Sequence, residues 1–357
     1  MDSSKFENRI EKLRALFVKY KIDGLLITKS ADVSYFTGTK GDDISLWISD
    51  NEKVLITDFR YREMASALNW FTYSEEPITK VLSNSSSKRI GVSRNSLSLD
   101  LYLQLLDKLS EKEIVTTGDN EYDIVNDLRI IKDEEEIKLT KIAEDIGCAA
   151  FEHILSYIKP GMSERQVALE LEYFMFQHGA EGLSFDTICV SGVKSSMPHG
   201  VPDGKIIEAG EFLTMDYGCV YKGYHSDMTR TIAIRSASDE MKNIYNIVLK
   251  AQENACANVK AGLTGDVCHN FALDIIAEAG FGEYFGHGLG HGTGLEIHES
   301  PRLSPIYKGK IPVNSIVSIE PGIYLPGKFG VRIEDLAVVK ENGIINLTSA
   351  NKELIII

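Results

Sequence analysis

A pattern that occurs twice in the C-terminal half constrains this chain more than any other feature. Lys159-Pro160-Gly161-Met162-Ser163 introduces a helix-forming stretch, 164–178, that ends at Gly179. Lys260-Ala261-Gly262-Leu263-Thr264 introduces a second, 266–279, that ends at Gly280. Further on, the apolar run Phe212-Leu213-Thr214-Met215 closes on Asp216-Tyr217-Gly218, and Ile316-Val317-Ser318-Ile319 closes on Glu320-Pro321-Gly322. Each strand pattern therefore ends in a carboxylate, one residue and a glycine. The duplicated unit predicts two halves packed about a pseudo-two-fold axis, each delivering an acid to a shared centre. An acid at the end of a buried strand is costly unless it is paired or meets a cation.

The chain has 357 residues, a length that suits two domains. The N-terminal part alternates helix and strand. Ile10, Leu13, Phe17 and Tyr20 share a helical face, and Gly24-Leu25-Leu26-Ile27-Thr28 reads as a short buried strand. Residues 44–48 and 54–57 flank Ser49-Asp50-Asn51-Glu52 as a predicted hairpin, and 97–109 reads as a helix after the strand Ile90-Gly91-Val92. This part holds no cluster of candidate ligands. Gly118-Asp119-Asn120 signals a turn, and Asp133-Glu134-Glu135-Glu136 opens a long helix with acids facing its partial positive end. That helix should stop near Lys159-Pro160-Gly161. The expected domains are 1–125 and 126–357.

Lys and Arg number 38 against 52 Asp and Glu, a formal net charge of −14. Such a chain repels phosphate backbones and anionic lipid, so nucleic-acid binding is disfavoured. No apolar run is long enough to span a bilayer, and the N-terminus has no signal-peptide pattern. The five cysteines form no C-x-x-C pair, which fits reduced thiols and a cytoplasmic location.

Four C-terminal segments gather the acids and histidines. In the first, two β-rich stretches bracket Lys222-Gly223, and a hairpin there would bring Asp216 and Asp227 opposite each other; a buried pair with Arg230 is the simpler use of Asp227. The second, His287-Gly288-Leu289-Gly290-His291-Gly292-Thr293-Gly294-Leu295-Glu296-Ile297-His298-Glu299, is too glycine-rich for a helix face and allows close approach of backbone to a ligand. The third and fourth place Glu320 and Glu334 after apolar strand patterns. Two Asp, two Glu and at least one His suit hard or borderline ions such as Mn²⁺, Co²⁺, Fe²⁺ or Zn²⁺. Four carboxylates exceed the needs of one ion and suit two, an arrangement that points to metal-assisted hydrolysis.

The order Asp–x10–Asp, then G-H-G-x-G-x-x-x-H-E, then I-E-P-G, then V-R-I-E-D resembles the creatinase-like metallopeptidases: the aminopeptidase P, prolidase and methionine aminopeptidase group. The N-terminal pattern Arg9-Ile10…Leu13-Arg14, Ile22-Asp23-Gly24-Leu25-Leu26-Ile27-Thr28 and Tyr35-Phe36-Thr37-Gly38 resembles the creatinase-type N-terminal domain, which favours the Xaa-Pro branch. The resemblance implies an α/β (α+β) chain, with that domain followed by a C-terminal pita-bread domain. It implies that Asp216 chelates one metal, that His291 and Glu320 hold the other, and that Asp227 and Glu334 bridge both. His298 would steady the tetrahedral intermediate or the substrate carbonyl, His199 would contact substrate, and His287 would stand behind the ligands. Arg302 would read a dipeptide's C-terminal carboxylate, and Phe185 would line a proline pocket. The implied enzyme is a homodimeric prolidase acting on short proline-containing peptides, with Mn²⁺ the foremost metal. The alternatives are an aminopeptidase P acting on longer peptides, a peptide-binding module without catalysis, and a hydrolase of small non-proline amides.

Overall fold

Residues 3–118, 123–159 and 161–357 are described by the computed structural model of the chain, which divides into two compact units, Met1–Arg129 and Ile130–Ile357. The turn expected at Gly118-Asp119-Asn120 runs outside the described residues, as does Pro160.

In the first unit, α1 (Ser4–Tyr20) buries Phe6, Ile10, Leu13 and Phe17 along one stripe. Tyr20 falls off that stripe and donates its hydroxyl to Asp127 at 3.0 Å. The strands β1 (Gly24–Ile27), β2 (Ser45–Ser49), β3 (Lys53–Ile56), β4 (Thr72–Ser74), β5 (Arg89–Ser93) and β6 (Glu113–Thr117) form one sheet in the order β4-β3-β2-β1-β5-β6. The predicted hairpin is the antiparallel pair β2–β3, whereas β5 pairs parallel with β1 and β6. Gly24 is required by packing, since a Cβ there would lie 2.4 Å from the buried Trp47 ring. The helices α2 (Ser30–Thr37), α3 (Arg62–Ala67), α4 (Ile78–Asn84), α5 (Leu99–Lys108) and α6 (Asn126–Arg129) complete the unit. Asp32 on α2 is buried and pairs with Arg129 at 2.6 Å.

The second unit opens with α7 (Glu134–Tyr157) and α8 (Glu164–Gln177), followed by β7 (Gly182–Leu183), β8 (Ile188–Ser191), β9 (Phe212–Tyr217), β10 (Cys219–Tyr221), β11 (Tyr224–His225) and β12 (Met228–Ala233). It continues with α9 (Asp239–Asn258), α10 (Gly265–Glu278), β13 (Gly290–Gly292), β14 (Glu299–Leu303), β15 (Ile316–Ile319), β16 (Gly322–Leu325), β17 (Phe329–Arg332), β18 (Asp335–Lys340) and β19 (Gly343–Asn346). A helix pair followed by a sheet thus occurs twice, and each pair covers its own sheet. Phe151, Ile154, Val167 and Leu171 pack on Leu213, Met215 and Met228, while Val248, Ala251, Cys268 and Ala272 pack on Val317, Ile319 and Ala337. Asp216 is the penultimate residue of β9, and Glu320 directly follows β15.

The acidic opening of α7 is a reciprocal cap. Asp133 accepts the Glu136 N–H at 2.9 Å, and Glu136 accepts the Asp133 N–H at 3.0 Å. Replacing Asp133 by Ala is expected to lower unfolding free energy by about 1 kcal/mol. Urea denaturation of parent and variant checks this, and an unchanged midpoint would count against the cap.

Candidate metal centre

Alternation along the strands decides which acids meet. In the β9–β12 ladder Asp216 stands opposite Thr229, so Asp227 is its diagonal neighbour on the same face rather than its direct partner. The two-residue turn at Lys222 and Gly223, both at positive φ, belongs to the short β10–β11 hairpin instead. Asp227 and Arg230 are three apart on a strand and face opposite sides. The suggested Asp227–Arg230 pair is therefore not formed, and Arg230 meets Asp335 at 2.8 Å. Across β15–β18 the last pair is Ile319 with Asp335, and Glu320 and Glu334 stand one step beyond it.

Asp227, His291 and Glu334 each offer a ligand atom, and these atoms all lie within 4.8 Å of one another. His291 Nε2 is 3.4 Å from Asp227 and 3.5 Å from Glu320. Its Nδ1 donates to the Gly292 carbonyl at 3.0 Å, which orients the ring so that Nε2 faces the acids. Ser318 accepts the His291 N–H and donates to Glu320, both at 3.0 Å. Thr229 donates to Glu334 at 2.7 Å, and Arg332 binds Asp216.

The chemistry of this cluster fits cations. Asp216 Oδ1 and Glu334 Oε1 are among the buried side-chain atoms with no hydrogen-bond partner, and two such acceptors lining one cavity suit a bound cation. Burial raises Asp216, Asp227 and Glu334 above the ordinary carboxylate range, and the crowded acids raise one another further, Asp227 to about 7. Burial would lower His291, but its bond to Asp227 and the nearby Glu320 raise it instead. The O- and N-donors of the set match hard or borderline divalent ions.

All ten residues singled out in the sequence line one open cavity of about 1050 Å³: Asp216, Asp227, His291, Glu320 and Glu334, with His199, His287, His298, Phe185 and Arg302. The His298 ring lies 4.4 Å from that of His291. Desolvation, His291 and Arg302 push His298 down to about 4, so it is a neutral imidazole at pH 7. His287 places its Nε2 3.0 Å from the Tyr324 hydroxyl, which in turn receives Arg332 at 2.7 Å.

Tyr324, Arg332, Ser318 and Ile188 carry part of this arrangement and were given no role from the sequence. Arg332 had a signal: it precedes Glu334 by two in an alternating strand pattern, so the two share a face while Val331 and Ile333 enter the core. Tyr324 had none: it meets Arg332 across the β16–β17 hairpin and His287 from a separate segment.

A sequence profile of metallopeptidase family M24 matches residues 138–341, and one of the creatinase/prolidase N-terminal domain matches residues 9–131. The chain is 42% identical to the solved structure of an Xaa-Pro dipeptidase from Bacillus anthracis, covering 99% of this chain and 100% of that one with a TM-score of 0.94. It is 38% identical to an X-Pro aminopeptidase from Thermotoga maritima, covering 98% and 99%, with a TM-score of 0.89. An Xaa-Pro dipeptidase from Pyrococcus furiosus is 37% identical over 98% of this chain and 100% of its own length. The fold is accordingly a creatinase-type N-terminal domain followed by a pita-bread domain.

Proposed function

The chain belongs to metallopeptidase family M24, and from that premise we propose that it is a prolidase: a dinuclear-metal dipeptidase cleaving Xaa-Pro. Asp216, Asp227, His291, Glu320 and Glu334 are the residues that would hold the ions, with Asp227 and Glu334 placed to serve both. Mn²⁺ is the foremost candidate, and Co²⁺, Zn²⁺ or Fe²⁺ suit the same donors. Divalent ions bound there supply Lewis acidity toward a peptide carbonyl and lower the pKa of water. The neutral His298 donates a ring N–H toward the carbonyl oxygen, and His199 contacts the substrate backbone. His287 keeps Tyr324, and through it Arg332, in place behind Asp216. Phe185 and Ile188 give the proline ring an apolar wall.

One observation carries the dipeptide reading. Arg302, on β14, is exposed in the cavity wall and has no acidic partner among the described residues. A free guanidinium beside a peptide site suits bidentate capture of a C-terminal carboxylate. Arg302→Gln is expected to reduce kcat/KM for Ala-Pro about 10- to 100-fold, chiefly through KM, the scale of a charge-assisted pair. Steady-state kinetics of the Mn²⁺-loaded enzyme, with Ala-Pro-Ala run beside Ala-Pro, tests both points. Cleavage of the tripeptide as fast as the dipeptide would instead favour aminopeptidase activity, the reading that the Thermotoga similarity supports. The full set of donors speaks against a binding module without catalysis. The setting this reading implies is a cytoplasmic homodimer serving peptide turnover; among the described residues no helix is long and apolar enough to cross a membrane.

A further inference from the structure

Glu144, on α7, is fully buried and does not line the cavity. No Lys, Arg or His pairs with it among the described residues. Its carboxyl instead makes two hydrogen bonds to the frame of the centre. Oε2 accepts the Asp227 backbone N–H at 3.2 Å, and Oε1 accepts the Thr348 hydroxyl at 2.6 Å. The Thr348 hydroxyl oxygen in turn accepts the backbone N–H of Leu336, at 2.8 Å. Leu336 lies two residues beyond Glu334 on β18. One carboxyl from the first helix of the unit therefore reaches the backbone of Asp227 in the first half and, through one hydroxyl, the strand that delivers Glu334 in the second.

A buried acid with no cationic partner is expensive, and an apolar residue of similar volume would pack there at lower cost. The bonds it makes are directed at the backbone next to the two acids whose spacing matters most. We propose that Glu144 is a positioning residue that sets the separation of Asp227 and Glu334 through this pair of hydrogen bonds. The proposal rests on the dinuclear reading given above. Groups that orient metal ligands from behind influence affinity strongly, commonly by 10- to 100-fold.

The test is calorimetric titration of the metal-stripped full chain with Mn²⁺ alone, well below the unfolding temperature, alongside circular dichroism and thermal unfolding. Glu144→Ala is expected to weaken the second Mn²⁺ by about tenfold or more with the fold retained. Glu144→Gln should bind close to the parent, because its amide oxygen accepts the Asp227 N–H and its amino group donates to Thr348. Should Glu144→Ala not fold, Thr348→Val takes its place, with Thr348→Ser restoring binding. Unchanged Mn²⁺ affinity in Glu144→Ala or Thr348→Val, with only a lowered unfolding temperature, would reduce Glu144 to packing and overturn the proposal. Equal weakening in Glu144→Gln and Glu144→Ala would overturn it in favour of charge. A parent that takes up no Mn²⁺ would overturn the metal reading and this inference with it, whereas a parent that binds two ions beside unaltered variants defeats this inference alone.

Discussion

Glu334→Gln is expected to leave a folded protein that neither retains metal nor turns over substrate, with kcat/KM reduced on the order of 1,000-fold or more. The substitution keeps the side-chain volume and leaves an oxygen for the Thr229 hydroxyl, now 2.7 Å from Oε2. What it removes is negative charge and one acceptor, at a carboxylate whose other oxygen is buried without a partner. Asp227→Asn should behave in the same way, since its carboxylate faces both His291 and the other acids. Burial raises the proton affinity of Glu334, as do Asp227, Glu320 and Asp216 around it. The metal-free site thus already favours a neutral carboxyl, which the amide resembles, so the metal-free variants should be no less stable than the parent. Elemental analysis after loading and dialysis, circular dichroism and Xaa-Pro hydrolysis together check the prediction. A Glu334→Gln enzyme that kept full turnover after chelation and metal replacement would falsify the dinuclear assignment.

The second large effect lies beneath the site, where Arg230→Met is expected to cost about 3–5 kcal/mol of stability. The Arg230 side chain is 1% exposed, and all five of its N–H donors are used. Nη1 donates to the carbonyls of Glu334 at 2.5 Å and Thr229 at 2.9 Å. Nη2 donates to Asp335 and to the Ala350 carbonyl, both at 2.8 Å, and Nε to the Asn351 carbonyl at 3.0 Å. Methionine fills much of the space but leaves four carbonyls and one carboxylate oxygen short of a donor. Lysine should rescue little, because a single ammonium cannot reach acceptors arranged around a planar fork. Urea denaturation with a double-mutant cycle against Asp335→Asn measures the coupling; strictly additive losses would mean that the pair does not act as a unit.

The same network fixes a pH dependence. Burial works to raise Asp335, but Arg230 and Lys352 outweigh it and hold the carboxyl below its ordinary range. Its folded pKa is therefore the lower one, and the unfolded chain binds the proton first as pH falls. The contribution of Asp335 to stability is complete above pH about 4 and is lost as acid passes through the lowered folded value. Asp335→Asn should accordingly flatten the acid limb of stability below pH 4 and leave the slope between pH 6 and 8 unchanged.

The acids and histidines that line the cavity were legible in the sequence because strand periodicity and glycine punctuation are local. An apolar run that closes on Asp216 or Glu320 announces a strand end carrying a carboxylate, and the His291 segment has too many glycines to be a helix. The same local rules gave α1, the β2–β3 hairpin, α5 and the capped start of α7. They also gave the doubled helix-then-strand unit, seen in the two helix pairs that each cover a sheet. The family resemblance then supplied expected roles that no spacing carries, such as those proposed for His199 and Arg302.

Register was left to the tertiary structure. A hairpin read from turn residues put Asp216 opposite Asp227, whereas the β9–β12 ladder puts Thr229 there and makes the two acids diagonal neighbours. Register depends on which face each strand must bury against α7 and α8, and that choice is made by packing between distant segments. Partnership across the fold was also decided there. Arg230 turned to Asp335, Arg332 to Asp216, and Tyr324 to His287 and Arg332. Glu144 reached Asp227 and Thr348, residues on strands and loops far along the chain. A sequence states which side chains carry charge and how often the backbone presents them to one side; which charge meets which is fixed only when two buried faces close on each other and each polar atom must find a partner in the space that remains.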